Sequence, residues 1–311
     1  MLDVSIVLVV QPLRVLITGG RGKVGRRAAH VLSARGHHVT IVDIAPAKHG
    51  PATAGELPYL HGDLTDFGVA VGVIVKSRPD VIVHAAGIPG PSHDAQSVIF
   101  QTNAVSTFNV VEAAVRLNVP RVIYISSETT VGYITAERAA TPDYVPVDEL
   151  HPLRPQDAYA LSKGIGEAIC DAAVRRSDVS AVSIRPSIVL DDEDYPLFIP
   201  RYQANPAGAK FNLWSYVDVG DLADLIALAA ESDTDGHEVV YAAALDNSVG
   251  IPLAELVDRF WPEDERPAVR AVQQVDASFL DTAKAQRLFG WTPTRSWRNV
   301  ESFSAATATS P

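Results

Sequence analysis

Gly19, Gly22 and Gly25 stand three residues apart in the segment Thr18-Gly19-Gly20-Arg21-Gly22-Lys23-Val24-Gly25, between an apolar run and a helical stretch. Few folds accommodate that arrangement. Arg14–Thr18 is apolar over consecutive residues, as a strand covered on both faces must be, and Lys23–Arg35 reads as a helix closed by Gly36. The alternation continues along the chain. Val39–Asp43, Leu57–Leu60, Asp80–His84, Arg121–Ser126 and Val179–Arg185 read as further strands, and Gln156–Arg176 as a helix. Val98–Leu117 is another helix, with Phe100, Ala104, Phe108, Val111 and Val115 at helical spacing. Strands alternating with helices predict βαβ units, a parallel sheet and right-handed crossovers.

After Pro186 the pattern breaks. Asp191–Pro206 is acidic and reads as a loop, Ser215–Glu231 as a strand end running into a helix, and Ile251–Phe260 and Phe279–Phe289 as short helices. The expected class is α/β, a doubly wound parallel sheet over residues 13–186 that also receives 215–245. A small interwoven C-terminal lobe is expected from 187–214 and 246–300, with 1–12 and 301–311 as terminal extensions and Ser302–Pro311 frayed.

Composition excludes several classes. With 311 residues, 47% of them hydrophobic, a sizeable core is expected rather than disorder. A formal charge of −11 disfavours nucleic acid and anionic membranes, which call for clustered Lys and Arg. Cys170 is the only cysteine, so no intramolecular disulfide or Cys-based metal cage is expected, and the reducing cytoplasm is the expected compartment. Cys170 itself, in a helical setting, reads as a packing residue. No stretch approaches the ~20 apolar residues of a membrane span. Met1–Val10 is short, carries Asp3 and lacks a basic region, so no signal peptide is expected. No metal site is expected either, because the acidic run lacks paired His ligands.

The glycine loop predicts a dinucleotide. The turn needs a residue with free φ, the backbone must approach a pyrophosphate, and the helix N-terminus offers its unpaired N–H groups to phosphate. Arg21, Lys23 and Val24 belong to the same loop. Asp43, at the end of the second strand, has the position to accept from the ribose hydroxyls and to repel a 2′-phosphate, which places NAD ahead of NADP. Asp63 and Leu64 after the third strand, Ala85-Ala86-Gly87 after the fourth, and Asn103 in the following helix are expected along the same groove. His84 reads as a packed strand-end residue rather than a base.

Ala158-Tyr159-Ala160-Leu161-Ser162-Lys163 opens the helix after Pro155. A spacing of four puts Tyr159 and Lys163 on one face. A tyrosine with pKa about 10 is a weak base at neutral pH. A neighbouring ammonium and an oxidised nicotinamide would draw it down, so that it takes a proton from a substrate hydroxyl.

Together, Gly19/Gly22/Gly25, Asp43, Asp63-Leu64, His84-Ala85-Ala86, Asn103, Ser126-Ser127 and Tyr159-x-x-x-Lys163 resemble the extended short-chain dehydrogenase/reductases of the epimerase/dehydratase type. Tyr216-Val217-Asp218-Val219-x-Asp221-Leu222-Ala223 and Lys284-Ala285-x-x-Leu288-x-Gly290-Trp291-x-Pro293 extend the resemblance over about residues 13–298. It implies a Rossmann fold with bound NAD, Tyr159 as base, Lys163 as supporting cation and holder of the nicotinamide ribose, and a homodimer built on the helices 98–117 and 156–176. One departure stands out. Nucleotide-sugar epimerases usually carry the catalytic Ser or Thr three residues before the Val of a V-Y-G turn, where this chain has Glu128. Ser126-Ser127-Glu128 is closer to the uronate dehydrogenases, which assigns the hydroxyl role to Ser127, with Thr129 as second choice. Only 28 residues, Ser187–Trp214, precede the Tyr216 segment, and they carry Asp191, Asp192, Glu193 and Asp194, with Arg201 and Lys210 the few cations. That lobe points to a small sugar-like substrate rather than a diphosphate. The expected activity is an NAD-dependent oxidation of a secondary alcohol or lactol carbon. A nucleotide-sugar 4-epimerase or dehydratase that retains its NAD, and a non-catalytic NAD-binding regulatory protein, are the alternatives.

Overall fold

The computed structural model describes residues 11–46, 57–90, 94–134, 136–138 and 140–299. Residues 1–10 and 301–311, which carry nearly all of the expected terminal extensions, lie outside them.

Seven parallel strands form the central sheet: β1 (Arg14–Thr18), β2 (His38–Asp43), β3 (Tyr59–His61), β4 (Val81–His84), β5 (Arg121–Ile125), β7 (Ser180–Pro186) and β10 (His237–Ala242). Their spatial order is β10-β7-β5-β4-β1-β2-β3. Two short pairs lie outside it, β6 (Tyr144–Val145) with β11 (Ala268–Val269) and β8 (Ile188–Leu190) with β9 (Tyr216–Asp218). The helices are α1 (Lys23–Ala34), α2 (Phe67–Ser77), α3 (Gln96–Arg116), α4 (Ala158–Arg176), α5 (Tyr195–Ala204), α6 (Val219–Glu231), α7 (Leu253–Phe260) and α8 (Ala283–Phe289).

Successive strand residues face opposite sides, which is why the strands are apolar throughout. Val15, Ile17, Val81, Val83, Ile123 and Ile125 join Ala28, Leu32, Leu222 and Ile226 from α1 and α6 in one core. Leu16, Ile82, Val122 and Tyr124 point the other way, into a core with Ile74, Val110, Ala114 and Cys170 from α2, α3 and α4. Cys170 is thus a buried packing residue. A further core gathers around Trp214, whose ring lies 5.1 Å from Phe279, 5.2 Å from Phe260 and 5.9 Å from Trp261 between centroids.

Two elements correct the sequence reading. Asp191–Pro206 is not all loop: α5 spans Tyr195–Ala204, with Pro196 near its start and Pro200 inside it. Two prolines in ten residues suggest a break, but Pro is tolerated in a first turn, and burying Tyr195, Ile199 and Tyr202 holds the remainder. The second element is α2, which the sequence reading passes over because FGVAVGVIVKS combines two glycines with four valines, all weak helix formers. Tertiary packing of Ala70, Val73 and Ile74 overrides that propensity, and the Asp66 side chain caps the helix by accepting from the Val69 amide at 3.0 Å.

The two C-terminal family segments fold onto each other. Asp221 accepts from the amides of Thr294 (3.0 Å) and Arg295 (2.8 Å) and from the Arg295 guanidinium (2.6 Å), while its carbonyl takes the Trp291 indole N–H at 2.9 Å. No helix of the described residues is long and apolar enough to cross a membrane.

Candidate active site

The strand order reverses between β1 and β4, and at such a point the carboxyl ends of parallel strands open a crevice. The glycine loop lies there. Gly19 has φ +65°, and a Cβ on it would come within 2.8 Å of the backbone of Ala85 and Ala86. A Cβ on Gly25 would lie 2.3 Å from the Gly19 carbonyl oxygen. Loop and helix therefore close on one another only without side chains. Gly22 begins α1 with no side-chain cap and no acidic residue in the first turn, so the N–H groups and positive helix end stay open to an anion. This donor set fits a pyrophosphate.

Asp43 closes β2 with Oδ2 accepting from the Arg21 amide and Oδ1 from the Ala45 amide, both at 3.0 Å. Each carboxylate oxygen keeps a lone pair for a further donor. The Arg21 guanidinium stacks on Tyr59, 4.5 Å from its ring centroid. Asp63 accepts from the Thr65 amide (2.9 Å) and hydroxyl (2.8 Å), and Leu64 is buried in the core beneath. Asn103 is 2% exposed, and its amide group clasps the Ile88 backbone, accepting from the N–H at 2.7 Å and donating to the carbonyl at 3.0 Å. It thus fixes the loop that borders the crevice. His84 stacks on Tyr124 and bonds the Thr18 and Thr107 hydroxyls at 2.8 and 3.1 Å. Burial, helped by Lys163, pushes its pKa down to about 3. It stays neutral.

Beyond the glycine loop the crevice deepens into a cavity of about 460 Å³. Gly19, Gly22, Lys23, Val24, Gly25, Ala85 and Gly87 line it at one end; Ser127, Tyr159 and Lys163 line it with them. Arg21, Asp43, Asp63, Leu64, Ala86 and Asn103 are not on its walls. The Asp157 side chain caps α4, accepting from the Ala160 amide at 2.9 Å, so the helix starts one turn ahead of Lys163 and turns Tyr159 and Lys163 to the same side. The Lys163 ammonium lies 5.7 Å from the Tyr159 ring centroid and donates to the Ile125 carbonyl at 2.8 Å. Burial lowers its pKa to about 8. The Tyr159 phenol is pushed up to about 12, chiefly by burial, and partly drawn back by the Ser127 hydroxyl and the Gly90 backbone. Burial therefore outweighs the downward pull expected on the phenol. Ser127 Oγ accepts from the Thr129 amide (3.2 Å) and hydroxyl (3.0 Å), which leaves its own proton to donate.

The acidic run takes an unexpected position. Lys23 of the glycine loop is ion-paired with Asp194 and, at 3.3 Å, with Asp191. Three further residues on the cavity wall escape the sequence reading: Glu128, Ser187 and Asn212. Glu128 appears there only as a departure from a pattern, and nothing in the spacing of Ser187 or Asn212 marks them. Among the described residues no cluster of His, Cys, Asp and Glu is arranged to hold a metal.

A glycine loop at the switch point of a parallel sheet, sharing a cavity with a Tyr–Lys helix, defines a dinucleotide-dependent oxidoreductase architecture. The chain belongs to the NAD-dependent epimerase/dehydratase family, an extended short-chain dehydrogenase/reductase group whose model matches residues 15–244. It is 28% identical to a uronate dehydrogenase of Pseudomonas putida, over 76% of this chain and 78% of that one. It is 25% identical to a UDP-glucose 4-epimerase of Corynebacterium glutamicum, over 90% of this chain and 91% of that one. The structure of the Bordetella bronchiseptica enzyme WbmG, in complex with NAD and UDP, shares the fold with a TM-score of 0.66 at 23% identity, covering 95% of this chain and 94% of that one.

Proposed function

We propose that the protein is an NAD-dependent oxidoreductase acting on a secondary alcohol or lactol carbon of a small sugar-like molecule. The observation that carries this reading is the convergence of Tyr159, Ser127 and Lys163 on one cavity whose far end is the glycine loop. Gly19, Arg21, Gly22, Lys23, Val24 and Gly25 hold the pyrophosphate, and Asp43 accepts from the adenosine ribose. Asp63 and Leu64 border the adenine, Ala85, Ala86 and Gly87 let the cofactor lie against backbone, and Asn103 sets the loop beside it. When bound, NAD supplies the acceptor for the hydride that leaves the substrate carbon and a positive charge facing the site. Ser127 donates to the reacting oxygen. Tyr159 takes that oxygen's proton, and Lys163, charged below about pH 8, stabilises the phenolate and holds the nicotinamide ribose. Residues 187–214 and 246–300 form the substrate lobe, and α3 and α4 pair two copies into a dimer.

A nucleotide-sugar 4-epimerase or dehydratase is the second reading, favoured by alignment over 90% of the chain with UDP-glucose 4-epimerases. Absorbance at the NADH band separates the two. With NAD and a panel of aldoses, uronates and nucleotide sugars, an oxidoreductase accumulates NADH in step with substrate, whereas an epimerase accumulates none. Tyr159→Phe is expected to lower kcat by about 10²–10⁴-fold with the NAD Kd unchanged, and full activity in that variant would remove Tyr159 from the mechanism.

A further inference from the structure

Three buried polar atoms on the cavity wall make no well-formed hydrogen bond within the protein, although the Ser187 hydroxyl lies close enough to the Glu128 carboxyl to act on it. Glu128 Oε2, Ser187 Oγ and Asn212 Oδ1 each lack a hydrogen bond, and the three residues are 4%, 4% and 1% exposed. Buried polar atoms are nearly always bonded, so three orphans on one wall need a reason. They come from three separate places: the turn after β5, the end of β7, and the turn over 206–212. The rest of the Asn212 amide is engaged, donating to the Ser215 carbonyl at 2.8 Å, which leaves Oδ1 as the unmet acceptor. Burial holds the Glu128 carboxyl well above the usual carboxylate range, against the smaller opposing pull of the Ser187 hydroxyl and the Ile188 amide. In its neutral form that group donates one hydrogen bond as well as accepting.

Charge on the same wall narrows the ligand further. Among the described residues lining the cavity there is no arginine, and the cations are Lys23 and Lys163. Both are engaged, Lys23 with Asp191 and Asp194, and Lys163 with the Ile125 carbonyl. A substrate carboxylate or diphosphate would meet the Glu128 carboxyl without a free cation to pair with. Hydroxyl groups, which donate and accept, match a neutral carboxyl, a hydroxyl and an amide oxygen.

We propose that Glu128, Ser187 and Asn212 form a hydroxyl-binding set that selects a neutral polyhydroxy substrate, an uncharged aldose or polyol, over uronates and nucleotide diphosphates. The inference rests on the oxidoreductase reading above for the place of the reacting carbon, which Ser127 and Tyr159 mark.

Two measurements test it together: steady-state NAD reduction with neutral aldoses and polyols, uronates and UDP-hexoses, and calorimetric binding of the same compounds to Tyr159→Phe with NAD present. Neutral sugars are expected to bind and turn over, with kcat/KM at least about 100-fold above the charged compounds, because unpaired buried groups reject the wrong ligand strongly. Glu128→Gln, which keeps a neutral donor and acceptor, is expected to hold KM within about threefold. Glu128→Ala, Ser187→Ala and Asn212→Ala, on separate elements, should each raise KM about tenfold, with kcat and the NAD Kd nearly unchanged. A preference for uronates or UDP-hexoses, no binding of any neutral sugar, or unaltered KM and sugar Kd in all three alanine variants would overturn the assignment. Neutral sugars that bind without NADH formation would uphold it and remove the oxidoreductase reading; oxidation of uronates alone would do the reverse.

Discussion

Lys163 is 6% exposed and donates to the Ile125 carbonyl at 2.8 Å. Burial that lowers its pKa to about 8 is a cost to the fold, since the unfolded chain holds that proton up to about 10.4. Below pH 8 the penalty is fully in force. Between about 8 and 10.4 the unfolded chain binds more protons than the folded one, so this residue's contribution to stability improves as pH rises. Lys163→Met is therefore expected to stabilise the fold at pH 7 by about 1–2 kcal/mol after the loss of its hydrogen bond, read as a raised Tm in unfolding scans. The same variant should flatten the rise with pH and abolish turnover. An equal or lower Tm would show that the buried ammonium stabilises the fold. The Tyr159–Lys163 pair was readable because the helical repeat alone puts them on one face. Glu128, Ser187 and Asn212 were not, since a Glu ordinarily reads as a surface charge and the meeting of the three depends on where separate elements end.

At the scale of elements, the serine turn is held from below. Glu167 on α4 accepts from Arg185 of β7 through both oxygens, at 2.8 and 2.7 Å, and from the Ser126 hydroxyl at 2.6 Å. All three are buried. The network ties the helix carrying Tyr159 to the strand end carrying Ser127. Glu167→Ala strands a buried guanidinium, and a loss of about 3–5 kcal/mol in denaturant unfolding is expected. A loss under about 1 kcal/mol would mean that water or a neighbour takes over the charge. The strands of the sheet were legible because burial on both faces forces unbroken apolar runs. α2 and α5 were not, because glycine, valine and proline argue locally against helices that only packing onto the rest of the molecule sustains.

For the molecule as a whole, the outer surface of α3 and α4 carries an exposed apolar stripe. Val98, Val105 and Phe108 on α3 and Leu161 on α4 are exposed, Phe108 by 50%. Steps of seven and three residues keep the three α3 side chains on one stripe. The proposed dimer buries that stripe against its copy. Phe108→Glu is expected to shift the protein from dimer to monomer in sedimentation, with the Tm of the remaining protomer little changed; an unshifted mass would place the dimer interface elsewhere or show that none forms.

Lys23 has one ammonium and two claimants. In the protein alone it rests on Asp191 and Asp194, just before α5, and in the proposed complex it faces the pyrophosphate. The two engagements are thermodynamically linked, so cofactor affinity is the phosphate contact less whatever the carboxylates give up. Asp194→Asn weakens the resting claim, and its NAD Kd in calorimetry is expected to fall about threefold to tenfold. An unaltered Kd would mean that the ammonium serves both at once. By the same linkage, a cofactor that took the ammonium would loosen the hold of Lys23 on the acidic turn that leads into α5.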